Sequence, residues 1–137
     1  MIKRVLSVGA QCIAPLQIMI LVLVLAACST GANTADAPAE AVERYLTAKV
    51  SADRDGVAAL LCSELESQLM REASAFVSLS EAQLVDMTCT TNDGNASVTC
   101  TGQISAKYGA EVTTFDLASY RVVQEDGEWK WCGEATP

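Results

Sequence analysis

The sequence predicts an α+β domain, with helices first in the chain and packed on an antiparallel sheet. Three observations predict it. Apolar residues recur at helical spacing between Pro38 and Phe76, the period falls to two after Leu79, and Gly-containing turn signals then separate alternating segments. A run of helices followed by a run of strands is the order of an α+β fold, with the helices gathered on one sheet face.

The first 27 residues read as a segment apart. Lys3 and Arg4 open the chain, no acid precedes Asp36, and an apolar run from Ile18 ends in Leu25-Ala26-Ala27-Cys28. A basic start, an apolar stretch and small residues at a cleavage point mark a secretory signal peptide. With a cysteine directly after the small pair, the ending resembles the bacterial lipobox, which implies cleavage before Cys28 and lipid (palmitate among the acyl chains) on its thiol. A plain transmembrane anchor is the competing reading. Gln11, Pro15 and Gln17 interrupt the run, and the uninterrupted part falls short of the roughly 20 residues needed to span a bilayer. Each buried CH₂ contributes about 0.8 kcal/mol, and stable anchoring takes more than one acyl chain, a condition that a lipidated Cys28 meets. The expected location is a cell membrane or outer membrane, on its extracytoplasmic face.

Residues 28–37 are small and polar without periodicity, which predicts a flexible tether. The domain is expected over residues 38–135. Asp36 offers an N-cap and Pro38 suits a first turn; Val42, Tyr45, Leu46 and Val50 then form one helical stripe. Asp53 or Asp55 is positioned to cap a second, short helix that buries Val57, Leu60 and Leu61. Ser63-Glu64-Leu65-Glu66 fits a capping box, opening a third helix to about Phe76 with Leu65, Leu69, Ala73 and Phe76 on one face. Val85, Met87 and Cys89 alternate with Asp86 and Thr88, and Asn92-Asp93-Gly94-Asn95 signals a tight turn. Val98 and Cys100 follow in alternation, Gly102 marks a bulge, and Ile104 to Tyr108 continues the strand. Gly109 turns the chain, Val112 to Val123 returns as one strand, and Glu125-Asp126-Gly127-Glu128 makes a hairpin into Trp129-Lys130-Trp131-Cys132.

Six cysteines divide three ways. Cys12 leaves with the signal, and Cys28 takes the lipid. Cys62, Cys89, Cys100 and Cys132 remain, an even number in an exported domain, which predicts two disulfides. A four-thiolate metal site competes, but the chain has no Cys-x-x-Cys pair and no histidine. Cys89 and Cys100 both fall on the apolar side of neighbouring strands. A loop centred on Gly94 and Asn95 sets them opposite each other, whereas one centred on Asp93-Gly94 shifts the register by two. Cys62 with Cys132 follows by elimination. Strand parity places Cys132 opposite Trp129 and Trp131, so that bond requires a local twist or an edge.

Of nine Lys and Arg, Lys3 and Arg4 leave with the signal; set against seventeen Asp and Glu, the mature part carries a net charge of −10. Nucleic-acid binding rests on cations that neutralise phosphates, so none is expected. The acids are scattered and read as solubilising.

Ala41-Val42-x-x-Tyr45-Leu46, Asp53–Gly56, Leu60-Leu61-Cys62, Tyr108-Gly109, Phe115-Asp116-Leu117, Tyr120 and Gly127-Glu128-Trp129 resemble small bacterial lipoproteins of the nuclear transport factor 2-like, cystatin-like class. The resemblance covers Pro38 to Gly133. It implies a curved antiparallel sheet wrapped around the helices as a cone, often with an interior pocket. Enzymes of that class commonly use Asp/His pairs, and this chain has no histidine to carry over.

No catalytic set is expected, nor any cofactor or metal. Asp53/Asp55 read as helix caps and Glu125/Asp126/Glu128 as a solvated turn, although paired carboxylates can act as acid and base. Asp116 is expected on the exposed side of its strand. The Asn95-Ala96-Ser97 sequon carries little weight in a bacterial lipoprotein. Tyr45, Phe76, Tyr108, Phe115, Tyr120 and Trp131, with Trp129, read first as core and alternatively as pocket lining. Two functions follow. The first is a non-enzymatic binding or interaction module for a protein or small apolar ligand. The alternative is a small enzyme using carboxylates and tyrosines on an apolar ligand. A deep, dry cavity containing Asp or Glu favours the enzyme; a filled cone with an exposed apolar rim favours the module.

Overall fold

The computed structural model of the chain describes residues 37–94 and 96–136. The expected signal peptide, Cys28, the expected tether up to residue 36, the expected Asp36 cap and Asn95 lie outside the described residues. Among those described, no helix is long and apolar enough to cross a membrane.

Helix α1, Ala37–Val50, buries Val42, Tyr45, Leu46 and Val50 together with Pro38, Ala39, Ala41 and Ala48. Glu40 in its first turn and Lys49 in its last complement the helix dipole. Helix α2, Arg54–Leu60, is capped by Asp53, whose carboxylate accepts from the Gly56 N–H at 3.0 Å. Val57 is its fully buried residue.

The third helical segment departs from expectation. A 3₁₀ helix, Ser63–Gln68, passes into a short α3, Leu69–Ala73, and turns occupy the chain from there to Leu79. Phe76 therefore lies beyond the helix. Nor does the capping box form: Cys62 is the cap residue and makes no side-chain cap bond. The Ser63 N–H and hydroxyl instead donate to the Glu125 carboxylate, at 3.1 and 2.8 Å. The cause is tertiary. The Cys62 N–H donates to the Trp131 carbonyl at 2.9 Å, which brings Ser63 to the hairpin that carries Glu125.

Five antiparallel strands follow: β1 Ser80–Thr91, β2 Ser97–Tyr108, β3 Glu111–Asp116, β4 Ser119–Glu125 and β5 Glu128–Glu134. The sheet is open, in the order β1-β2-β4-β5, with β3 paired to β2 beside β4. The single return strand expected from Val112 to Val123 is thus two, broken at Leu117-Ala118. Its halves lie one register step apart on β2, Ile104 facing Phe115 but Val98 facing Tyr120. Gly102 sits at a bulge, and the extra residue belongs to β1. Val85 faces Gln103 and Thr88 faces Thr101, leaving Asp86 and Met87 opposite one glycine. Asp86 takes a φ of +51° and Gly102 one of +101°. A Cβ on Gly102 would stand 2.6 Å from the Val85 and Asp86 carbonyl oxygens, so glycine alone fits. In the last hairpin Asp126 and Gly127 both have positive φ between paired Glu125 and Glu128, the geometry of a two-residue loop matched to strand twist.

Cys89 and Cys100 are directly opposed and bonded, with Cα atoms 4.1 Å apart. The Cys89 N–H turns away from β2 and donates to the Glu43 carboxylate of α1 at 3.2 Å. Cys62 bonds Cys132, Cα atoms 5.3 Å apart. The parity conflict is resolved at the sheet edge: Leu61 bridges Trp131 in parallel, and the β4–β5 register shifts between Tyr120 and Val122, with Gly133 at φ +100°. The core lies between α1, α2 and the sheet, centred on Val42, Tyr45, Val57, Val98, Tyr120 and Trp131.

Candidate functional site

A cleft of about 480 Å³ opens between the end of α1, α3 and the inner face of the sheet. Its wall includes Phe76, Ile104, Phe115, Tyr120 and Trp131, with Lys49, Arg71 and Glu72 at one side and Asp116 and Glu134 at the other. Phe76 and Phe115 meet edge to face, ring centroids 6.0 Å apart. Trp131 stacks on Tyr45 at 4.2 Å and lies 6.3 Å from Tyr120. The Trp131 indole N–H is buried and has no acceptor among the described residues.

Glu72 is the chemical centre of this cleft. Only 7 % exposed, it accepts from the Tyr45 hydroxyl at 2.9 Å, from Lys49 Nζ at 2.6 Å and from Arg71 at 3.3 Å. Arg71 also bonds Gln68. Burial disfavours the Glu72 anion, but the Lys49 cation, the Tyr45 hydroxyl and Arg71 outweigh it and hold the carboxyl below its ordinary pKa. Burial, and then the adjoining carboxylate, push the Tyr45 hydroxyl far above its ordinary value. Burial likewise raises Tyr120, whose oxygen accepts from the Ala118 N–H at 3.2 Å. Lys49 Nζ also sits 5.9 and 5.6 Å from the Tyr45 and Trp131 ring centres, within cation–π range. An ionised carboxylate with its donors in place, beside tyrosines held protonated, can orient a ligand. It is poorly suited to taking or giving a proton near neutral pH.

A second, broader depression of about 610 Å³ runs along the outer sides of α1 and α2, from Glu40 and Glu43 to Met87. Unlike the cleft, it is lined by no buried charged side chain, since Glu72 is the buried one among the described residues and does not line it. The cleft is therefore the better candidate.

Compared with known proteins, the chain matches no family model, and no curated protein matches it in sequence.

The sequence-derived residues separate in space. Phe76, Phe115, Tyr120 and Trp131 come together in the cleft wall. Tyr45 is fully buried behind it and meets the cleft through its stack on Trp131 and its bond to Glu72. Tyr108 is 59 % exposed at the far end of β2 and is no part of the cleft. Trp129 packs partly against the core. Asp116 is exposed, as its strand position indicated. Asp53 is a cap, Glu125 holds Ser63, and Glu128 pairs with Lys130 at 2.7 Å. Among the described residues, no group of three or more Cys, Asp or Glu converges as a metal site would require. Sequence reading passed over Glu72, Lys49 and Arg71. A signal was present: Glu72 sits three residues after Leu69 and seven after Leu65, a carboxylate on an apolar helical stripe.

Proposed function

We propose that the chain is an exported lipoprotein, tethered through lipid on Cys28, whose domain is a non-enzymatic binding module. The cleft does contain acids, the feature expected of an enzyme, but one observation carries the choice of module: the buried Glu72 carboxylate is engaged by three donors and kept ionised, so it serves the architecture of the cleft. The aromatic wall then supplies the binding surface, apolar in body with charge at its margin. We take the open sheet with helices on its face as a variant of the cystatin-like cone, in keeping with the lipoprotein resemblance of Pro38 to Gly133.

Two experiments test this reading. Cys28→Ser should release the protein from membranes or leave an unprocessed precursor, and a mature N-terminus elsewhere without acyl mass refutes the anchoring. For the cleft, the probe is N-phenyl-1-naphthylamine, a small apolar fluorophore. Its emission should rise on adding the full chain in a non-ionic detergent, measured above the detergent blank, and the rise should be lost in Phe76→Ala. Equal emission with the wild type and the detergent blank refutes the binding reading.

A further inference from the structure

We propose that the outer edge of β3 docks an extended, basic segment of a partner protein, which adds as a further strand and lays one Lys or Arg side chain in the cleft. This rests on the binding-module reading and names the occupant of the same cleft.

The first ground is an unfilled place in the sheet. β4 is covered on its outer side by β5, but the last backbone bond between them is the Ala135 N–H to the Ser119 carbonyl, at 2.8 Å. Beyond the break at Leu117-Ala118 the line continues as β3, which among the described residues pairs with β2 alone. Every second residue of such a strand directs its N–H and C=O outward, ready to pair with another chain. Sheet edges are commonly blunted by Pro, by lysine or by a bulge. β3, Glu-Val-Thr-Thr-Phe-Asp, has no lysine or proline, and its pairing with β2 runs without a register shift. Val112 is 61 % and Phe115 41 % exposed along it.

The second ground is the position of the cleft. Phe115 and Asp116 at the end of β3, and Gly133 and Glu134 at the end of β5, line its mouth. A strand added along β3 in line with β5 passes over that mouth. A side chain turned inward there meets Phe76, Phe115 and Trp131, an apolar bed for an aliphatic stem.

The third ground is charge. The cations of the cleft, Lys49 and Arg71, are engaged with Glu72. Among the described residues, Asp116 and Glu134 at the mouth and Glu111 at the other end of β3 make no ion pair. With a chain net charge of −8, like charges oppose a second copy of this chain on that edge, whereas a basic segment is attracted to it.

The test uses the full chain in a non-ionic detergent and a capped synthetic peptide of alternating Val and Lys/Arg. Binding is followed by calorimetry and by amide hydrogen exchange across residues 111–116. The proposal expects saturable binding with slowed exchange at β3, and no binding by the same peptide carrying Glu for Lys/Arg. N-methylation of alternate peptide amides along one edge should abolish binding. Asp116→Lys and Glu134→Lys, both at exposed sites, should each weaken it about fivefold, the scale of an exposed ion pair. Binding of the wild type should also fall with added salt, a readout that needs no variant. Peptide binding without protection at β3, or equal binding by the acidic peptide, overturns the proposal. So does protection of β3 before peptide is added, whether from a second copy in a concentration-dependent dimer or from the chain's own N-terminal segment in a monomer. If the basic peptide fails while N-phenyl-1-naphthylamine still enters the cleft, this proposal falls and the binding-module reading stands; if both fail, both fall.

Discussion

Replacing Glu72 by glutamine preserves the shape of the side chain and removes its charge, which makes it a direct probe of the cleft. Hydrogen bonds to a charged partner contribute about 1.5–3 kcal/mol, against about 0.5–1.5 kcal/mol between neutral groups. Two of the three donors count. Tyr45 is fully buried and the Lys49 side chain is 21 % exposed, whereas Arg71 is mostly in solvent and contributes little. The expected loss for Glu72→Gln is about 2 kcal/mol at neutral pH, a fall in Tm of roughly 10 °C for a domain of this size. Tyr45→Phe should cost about 1.5 kcal/mol, and the double variant about 1 kcal/mol less than the sum, because both remove the same bond. Acid adds a sharper criterion. The folded-state pKa of Glu72 lies below the ordinary carboxylate value. The advantage of wild type over Glu72→Gln is therefore complete above about pH 5 and fades as pH falls through the folded pKa, where the protonated acid resembles the amide. Thermal unfolding followed by far-ultraviolet circular dichroism, disulfides intact, measures this from about pH 7 to about pH 2. A gap that stays constant into acid refutes the ionised carboxylate. A gap that widens as pH falls would show a carboxyl held neutral in the fold, a candidate general acid, and would revive the enzymatic alternative.

The remaining predictions concern the frame around the cleft. In the chain-entropy view the Cys62–Cys132 bond, spanning 70 residues, contributes about 4.4 kcal/mol and the Cys89–Cys100 bond, spanning 11, about 2.8 kcal/mol; paired Cys→Ser variants measured in urea should lose stability in that order, and the reverse order would place the tie elsewhere. Gly102→Ala should cost about 2 kcal/mol or more, since its Cβ would press on two β1 carbonyls at a backbone angle that side chains avoid; an unchanged urea midpoint would mean that the bulge opposite Asp86 relaxes freely. Asp53→Ala should cost about 1 kcal/mol through the lost cap on Gly56, read from the same urea curves. The full chain should give no electrophoretic shift with DNA or RNA at low salt; a salt-sensitive shift at micromolar protein contradicts the reading of its acidity.

The features legible in the sequence are those specified over a few residues. The stripe of α1 from Val42 to Val50, a cap on α2 from Asp53 or Asp55, the Asp126-Gly127 turn and the change of period after Leu79 each follow from local spacing or from a residue's own backbone preference; the structure gives the cap to Asp53. The Cys89–Cys100 bond was legible in part: alternation sets both cysteines on the apolar side, but two loop centres were open, and the register of β1 on β2 decides between them. The Cys62–Cys132 bond came only by elimination, and only the edge contact of Leu61 with Trp131 shows how it closes.

Tertiary structure alone decided the features that depend on distant partners. Glu125 takes Ser63 from a local capping box across 62 residues of sequence, because the disulfide-tied edge brings the two together. Tyr108 and Phe115, alike as strand aromatics, part company because Phe115 meets Phe76 while Tyr108 faces solvent. The return strand breaks at Leu117 so that its halves take registers one step apart on β2, and that break leaves β3 without an outer neighbour among the described residues. Glu72 is a carboxylate on an apolar stripe until Tyr45, 27 residues away, and Lys49, 23 away, make its burial tolerable. Periodicity and turn chemistry are set by the backbone over a few bonds, and so are written locally in the sequence. Whether a buried charge is a liability or an organising centre depends on which side chains the whole fold brings within about 3 Å, and no short window of sequence contains that distance.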